Sequence, residues 1–139
     1  MKTLISCRYS VLFALCAALL LGCAGTAPIR NVQDSSVTET VEDQPTSTRQ
    51  VRRAIISAGG DLGWEISGAG RGHLIGTLFI RSHMAQVDIF FNSERYDIVY
   101  RNSSNLNYDP ATGEIHPRYN VWVNNLDNAI QNRLRAGVI

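Results

Sequence analysis

Two runs of alternating residues flank Ser93-Glu94, and the way they match constrains the fold more than any other feature of the chain. In the first, Ala85, Val87, Ile89 and Phe91 alternate with Gln86 and Asp88; in the second, Tyr96, Ile98 and Tyr100 alternate with Asp97 and Arg101. If Ser93-Glu94 is a two-residue hairpin turn, Asn92 pairs with Arg95, Ile89 faces Ile98 and Val87 faces Tyr100. Both apolar sets then share one face, which a slip of one residue would undo. A tight turn near Ser82 places Leu74, Leu78 and Ile80 beside Ala85, Val87 and Ile89 in the same way. The expected strands are Trp64–Ser67, His73–Arg81, His83–Asn92 and Arg95–Arg101, forming an antiparallel meander.

Helical spacing brackets these strands. Ser47 and Gln50 have the S-x-x-Q spacing of a capping box, and Val51, Ala54, Ile55 and Ala58 follow on one stripe, opposite Arg49, Arg52 and Arg53. Gly59-Gly60 reads as the stop of a helix over Thr48–Ala58. After an Asn-rich loop, Asn102–Glu114, whose Asp109-Pro110-Ala111-Thr112-Gly113 is turn chemistry, Pro117 suits the first position of a second helix. There Tyr119, Trp122, Val123, Leu126, Ala129, Ile130 and Leu134 share a stripe, while Asn120, Asn124, Asp127 and Gln131 lie opposite. Two amphipathic helices and one sheet with a single apolar face imply an α+β two-layer sandwich. Its order is α-β-β-β-β-α, a four-stranded antiparallel meander with both helices on one face. Trp122 and Leu126 are expected in its core with Trp64, Ile89 and Ile98.

The N-terminal third has a different character. Lys2 and Arg8 precede an apolar run, Val11 to Leu21, that is shorter than the roughly 20 residues a spanning helix needs. It ends in Leu20-Leu21-Gly22-Cys23, which resembles the bacterial lipobox. The reading is a signal peptide over residues 1–22, removed to leave an acylated Cys23, with Ala24 resembling the default outer-membrane sorting residue. The expected location is the cell envelope, on the inner leaflet of the outer membrane facing the periplasm. Cys7 and Cys16 would leave with the signal and Cys23 would carry lipid, so the fold must stand without disulfides. Residues 23–46, polar and without a periodic apolar face, read as a flexible tether reaching on the order of 25–30 Å. Residues 47–139 then form a single domain.

Charge and motif exclude several functions. The formal charge of +1 includes Lys2 and Arg8, so the chain from Cys23 onward carries one net negative charge, unlike nucleic-acid binders with their multiple phosphate contacts. Gly68-Ala69-Gly70-Arg71-Gly72 joins two strands, whereas phosphate-cradling glycine loops open onto a helix N-terminus. It reads as a hairpin loop. His73, His83 and His116 are the only histidines, and His73 and His83 fall at opposite ends of their hairpin. They make no metal site by spacing, and no cofactor is expected. No Gly-x-Ser-x-Gly elbow appears, and no acidic pair is placed for glycosidase chemistry. Catalytic residues are therefore not assigned, although an envelope hydrolase using His116 with Asp97 or Asp109 stands as an alternative.

Gly63-Trp64, Tyr100, Asn105-Leu106-Asn107-Tyr108, Ile115-His116 and Tyr119-Asn120-x-Trp122-Val123-x-x-Leu126 together resemble a family of small proteobacterial lipoproteins of uncharacterised function, over roughly residues 53–130. The resemblance implies an envelope location and assigns no catalytic residue.

Two surfaces are candidates for binding. The sheet face away from the helices carries Ile75, Phe79, Met84, Phe90 and Val99, among Thr77, Gln86, Asp88 and Arg101, and suits an envelope protein partner. The loop residues Asn105, Asn107, Tyr108 and Asp109 combine hydrogen-bonding groups with an aromatic ring, as a glycan such as peptidoglycan would require. A non-catalytic binding or structural module is the expected class.

Overall fold

A computed structural model describes residues 25–37 and 45–137. The elements in chain order are β1 (Ala27–Pro28), β2 (Val32–Ser36), α1 (Thr48–Asp61), β3 (Trp64–Gly70), β4 (His73–Ile80), β5 (His83–Phe91), β6 (Arg95–Ser104), β7 (Glu114–Ile115) and α2 (Pro117–Arg135). The fold is α+β. Its main sheet has five strands in the order β2-β6-β5-β4-β3, all antiparallel, and β1 pairs with β7 in a separate two-stranded ribbon.

The expected meander is present in its expected register. Ile89 pairs with Ile98, Val87 with Tyr100, Leu74 with Ile89 and Leu78 with Ala85. Asn92 closes the β5–β6 turn: its amide donates to Arg95 O at 3.0 Å and its Oδ1 accepts from the amides of Glu94 and Arg95 at 2.7 and 2.9 Å. Ser47 and Gln50 make the reciprocal capping box of α1. His116 caps α2, its Nδ1 accepting from the Arg118 amide at 3.2 Å, and Pro117 takes the first turn.

Four expectations are corrected. The sheet has a fifth strand, because Val32–Ser36, read as tether, lies along β6 with Val32 opposite Ile98 and Ser36 opposite Arg95. Only Val32 of that strand is buried, so it has no apolar period to reveal it; its place is fixed by backbone pairing and by polar contacts to α2. Gly59-Gly60 does not stop α1, which runs on to Asp61, and the left-handed residue is Gly63, at φ +81°. Gly59 is instead a close-approach site, where a Cβ would lie 2.8 Å from the Ile66 side chain. Gly68–Gly70 belongs to β3, with a bulge before Gly70 and only Arg71-Gly72 left as turn. Lastly, Trp122 is only partly buried at the margin of the core, and Tyr119 is the fully buried aromatic of α2.

The core lies between one sheet face and both helices. Val51, Ala54, Ile55 and Ala58 of α1 and Tyr119, Val123, Leu126, Ile130 and Leu134 of α2 meet Trp64, Leu74, Leu78, Ala85, Val87, Ile89, Tyr96 and Ile98. A buried polar group also joins the layers: Tyr96 OH donates to Asp127 Oδ1 at 2.6 Å and accepts from Gln131 Nε2 at 3.0 Å, and Gln131 Nε2 lies 2.8 Å from Ser35 Oγ. Burial pushes the Tyr96 hydroxyl above its ordinary range, with the Asp127 hydrogen bond adding to the effect, so the phenol keeps the proton it donates.

Gly72 shows how tightly the β3–β4 turn abuts β5. It sits at φ +66°, its carbonyl accepts from Phe91 N at 2.9 Å, and a Cβ there would lie 2.7 Å from Phe91 O. Gly72→Ala is therefore expected to destabilise by more than the roughly 1–2 kcal/mol of left-handed strain alone, because backbone must also move. Gly60→Ala, on a helical residue with nothing within 4 Å of the new Cβ, should stabilise by about 0.5–1 kcal/mol. Thermal melts of the two variants should move in opposite directions.

Candidate functional site

Both helices cover one face of the sheet, and among the described residues no element covers the other. Alternation along β4, β5 and β6 sends His73, Ile75, Thr77 and Phe79, then Met84, Gln86, Asp88 and Phe90, then Asp97 and Val99, to that side. Adjacent rungs bring Phe79 opposite Met84, Ile75 opposite Asp88, and Asp88 opposite Val99. Phe79 is 61% exposed and Phe90 43%, the first being the most exposed large apolar side chain among the described residues. Ile75, Met84 and Val99 are half-buried between them.

A polar cluster crosses this apolar face. His73 Nε2 donates to Asp88 Oδ1 at 2.7 Å, Arg101 Nη1 reaches the same oxygen at 2.8 Å, and Gln86 Nε2 donates to Thr77 Oγ1 at 3.0 Å. Phe90 stacks on the His73 ring with centroids 4.4 Å apart. Arg101 reaches Asp88 because β6 shifts register between the Val87–Tyr100 and Gln86–Asn102 pairs, leaving Arg101 as the extra residue of a bulge. The sequence placed Asp88, Phe90 and Arg101 on this face; it missed their convergence with His73. The signal that existed was the alternation itself, which puts His73 one rung from Asp88. A shallow cavity of about 230 Å³ adjoins Phe90, between Arg71, Asn92, Arg95 and Asp97. That is small against the roughly 300–1,000 Å³ of small-molecule sites.

The second candidate surface is largely committed to its own structure. Asn105 and Asn107 hold left-handed backbone, at φ 58° and 50°. Asn105 Nδ2 donates to Ser82 O at 2.6 Å, its carbonyl accepts from His83 Nδ1 at 2.7 Å, and Asp109 Oδ1 accepts from the Ala111 amide at 2.8 Å. Tyr108 is 37% exposed and packs on Tyr100 with ring centroids 4.4 Å apart. Leu106, between the asparagines, is buried.

His116 and its proposed acidic partners are occupied separately. His116 caps α2 beside Leu106, beyond the C-terminal end of β6, whereas Asp97 lies near the N-terminal end of that strand and accepts from the Asp34 amide at 2.7 Å. Asp109 is bound in its own turn. His83 and His116 have ring centroids 6.4 Å apart. No group of three His, Cys, Asp or Glu side chains poised for a metal occurs among the described residues. No helix among them is long and apolar enough to cross a membrane, and Cys23 with the preceding signal lies outside the described residues. Comparisons of the chain with protein-family models, with curated proteins and with solved structures find no match.

Proposed function

We propose that the chain is a lipid-anchored binding module of the bacterial cell envelope, held by Cys23 on the inner leaflet of the outer membrane and facing the periplasm. It engages an envelope protein through the open face of its sheet. The observation that carries this reading is the bare face itself: a five-stranded sheet with both helices on one side leaves Phe79 and Phe90 in water around half-buried Ile75, Met84 and Val99. Large aromatics flanking a hydrogen-bonded Asp88–Arg101–His73 centre offer an apolar anchor and a polar element of specificity. The Asn105–Asp109 loop supports glycan binding less well, because Asn105 and Asp109 already satisfy neighbouring backbone groups.

Two measurements test the proposal. Mass spectrometry of membrane-extracted protein should find an acylated Cys23 N-terminus; a free Ala24 terminus or an intact leader defeats the anchoring. Photo-crosslinking from the sheet face in intact envelopes should trap a defined protein complex that Phe79→Ser abolishes while peptidoglycan pull-down stays unchanged. Neither phenylalanine ring contributes to the buried core, so Phe79→Ser should keep the native circular dichroism spectrum and melting temperature. Loss of peptidoglycan recovery on Tyr108→Ala, with the crosslink intact, would move the site to the loop.

A further inference from the structure

The fold begins almost at the lipidation site. Ala27 pairs with Ile115 and Pro28 with Glu114, Ile29 N donates to Gly113 O at 2.9 Å, and Thr26 Oγ1 donates to Glu114 Oε2 at 2.6 Å. Asn120 clamps the same segment from α2, its Nδ2 donating to Pro28 O and its Oδ1 accepting from Arg30 N, both at 2.9 Å. Four residue steps separate Cys23 from Ala27. Fully extended they reach about 13–14 Å, roughly half the span a flexible tether through residue 46 would give.

The direction of exit is also fixed. Continuing the antiparallel register, Thr26 heads toward His116, whose amide donates to Leu106 O at 2.7 Å and whose ring neighbours that of His83. His83 and Asn105 in turn hold the β4–β5 turn through Asn105 O and Ser82 O. The exposed cations Arg81 and Arg118 lie at this end. The two nearby carboxylates are engaged, Glu114 with Thr26 and Asp109 with Ala111. Both carboxylates accept from uncharged donors and keep their charge, so the two guanidinium groups act as local phosphate partners and the short reach from Cys23 sets which end faces the bilayer.

Resting on the lipidation of Cys23 proposed above, we infer that the domain docks directly on the bilayer: its Arg81-Ser82 turn, His83, His116 and Arg118 meet the headgroups, and the open sheet face stands upright beside them. The β5 strand is then a ruler normal to the membrane. It joins the Ser82 turn to the Ser93 turn over nine residues, about 30 Å. The Asn105–Asp109 loop is at the lipid end, and the Phe90 end of the sheet face reaches farthest into the periplasm.

The test uses the acylated mature protein, in which Cys23 is blocked and Cys7 and Cys16 have left with the signal, carrying Ser82→Cys or Ser93→Cys with an environment-sensitive fluorophore. The protein is reconstituted in phosphatidylethanolamine–phosphatidylglycerol vesicles bearing a headgroup-linked quencher. The Ser82 label should be quenched severalfold more than the Ser93 label, and a long Gly/Ser insertion between Ala24 and Gly25 should erase the difference. Equal quenching at both positions, with acylation of Cys23 confirmed on the same sample, overturns the docked orientation alone. An unacylated Cys23 overturns the anchoring and the orientation together.

Discussion

Tyr119→Ala should cost about 3–5 kcal/mol, the range of large-to-small aromatic substitutions in a packed core. The side chain is fully buried on α2, meets the Tyr100 ring edge-on with centroids 5.6 Å apart, and sits in the same cluster as Leu106, Ile115 and Val123. Against a stability of about 5–15 kcal/mol for a domain of this size, the variant should unfold at much lower denaturant and accumulate poorly. Trp122→Ala, three residues on, should cost less because that ring is only partly buried. The hydroxyl of Tyr119 separates packing from polarity: it is buried and has no hydrogen-bond partner among the described residues, and burial holds its pKa well above the ordinary tyrosine value. Tyr119→Phe should therefore be neutral or slightly stabilising. Tyr96→Phe should cost about 1–3 kcal/mol, because Asp127 Oδ1 loses its short hydrogen bond from Tyr96 OH, while Gln131 Nε2 keeps Ser35 Oγ and Ser36 O. Denaturant titration should show a loss for Tyr96→Phe and none for Tyr119→Phe, and equal losses contradict the assignment.

The contrast between these two tyrosines shows where the fold was legible. The β5–β6 and β4–β5 registers followed from alternation and turn length, because a slip of one residue would turn Ile89 and Ile98 to opposite faces. The capping box at Ser47 was equally explicit, since both hydrogen bonds are local to four residues. Helix α2 was legible as a stripe but not in its centre: helical periodicity places Tyr119 and Trp122 on one broad face without saying which aromatic points at the sheet. That depends on where α2 crosses β6, which the Asp127–Tyr96 contact decides. The open face was found by exclusion, as the side of each strand that the helices do not need. Its His73–Asp88–Arg101 centre was not, because alternation gives the face but not which side chains on neighbouring rungs reach one another. Strand β2 was invisible for a different reason. Its sequence, Val32-Gln33-Asp34-Ser35-Ser36, has one buried apolar side chain and a left-handed residue, Asp34 at φ 51°, so neither alternation nor β propensity marks it.

Removing that strand should have the largest effect of any simple change. A chain starting at Ser47, the boundary that composition suggests, loses Val32, whose burial contributes about 1.5–3 kcal/mol. It also opens the buried network to which Ser35 and Ser36 contribute, at about 1–3 kcal/mol. The Asp34–Arg95 ion pair is exposed and adds little. A loss of about 2.5–6 kcal/mol is comparable to the whole stability of a marginal domain, and the damage is not only energetic. Strand β6 would become an uncovered edge offering the backbone groups of Arg95–Ile98 that β2 now pairs, and long unprotected edges template association between chains. The expectation is that residues 47–139 aggregate or remain partly unfolded, whereas residues 25–139 give a cooperative melt and a monodisperse species in size-exclusion chromatography. Val32→Asp in the longer chain separates the two causes: it keeps the backbone of β2 but places a carboxylate opposite Ile98, so it should weaken the melt without exposing the full edge. If residues 47–139 instead fold with the stability of the longer chain, β2 contributes nothing to the stability of the sheet.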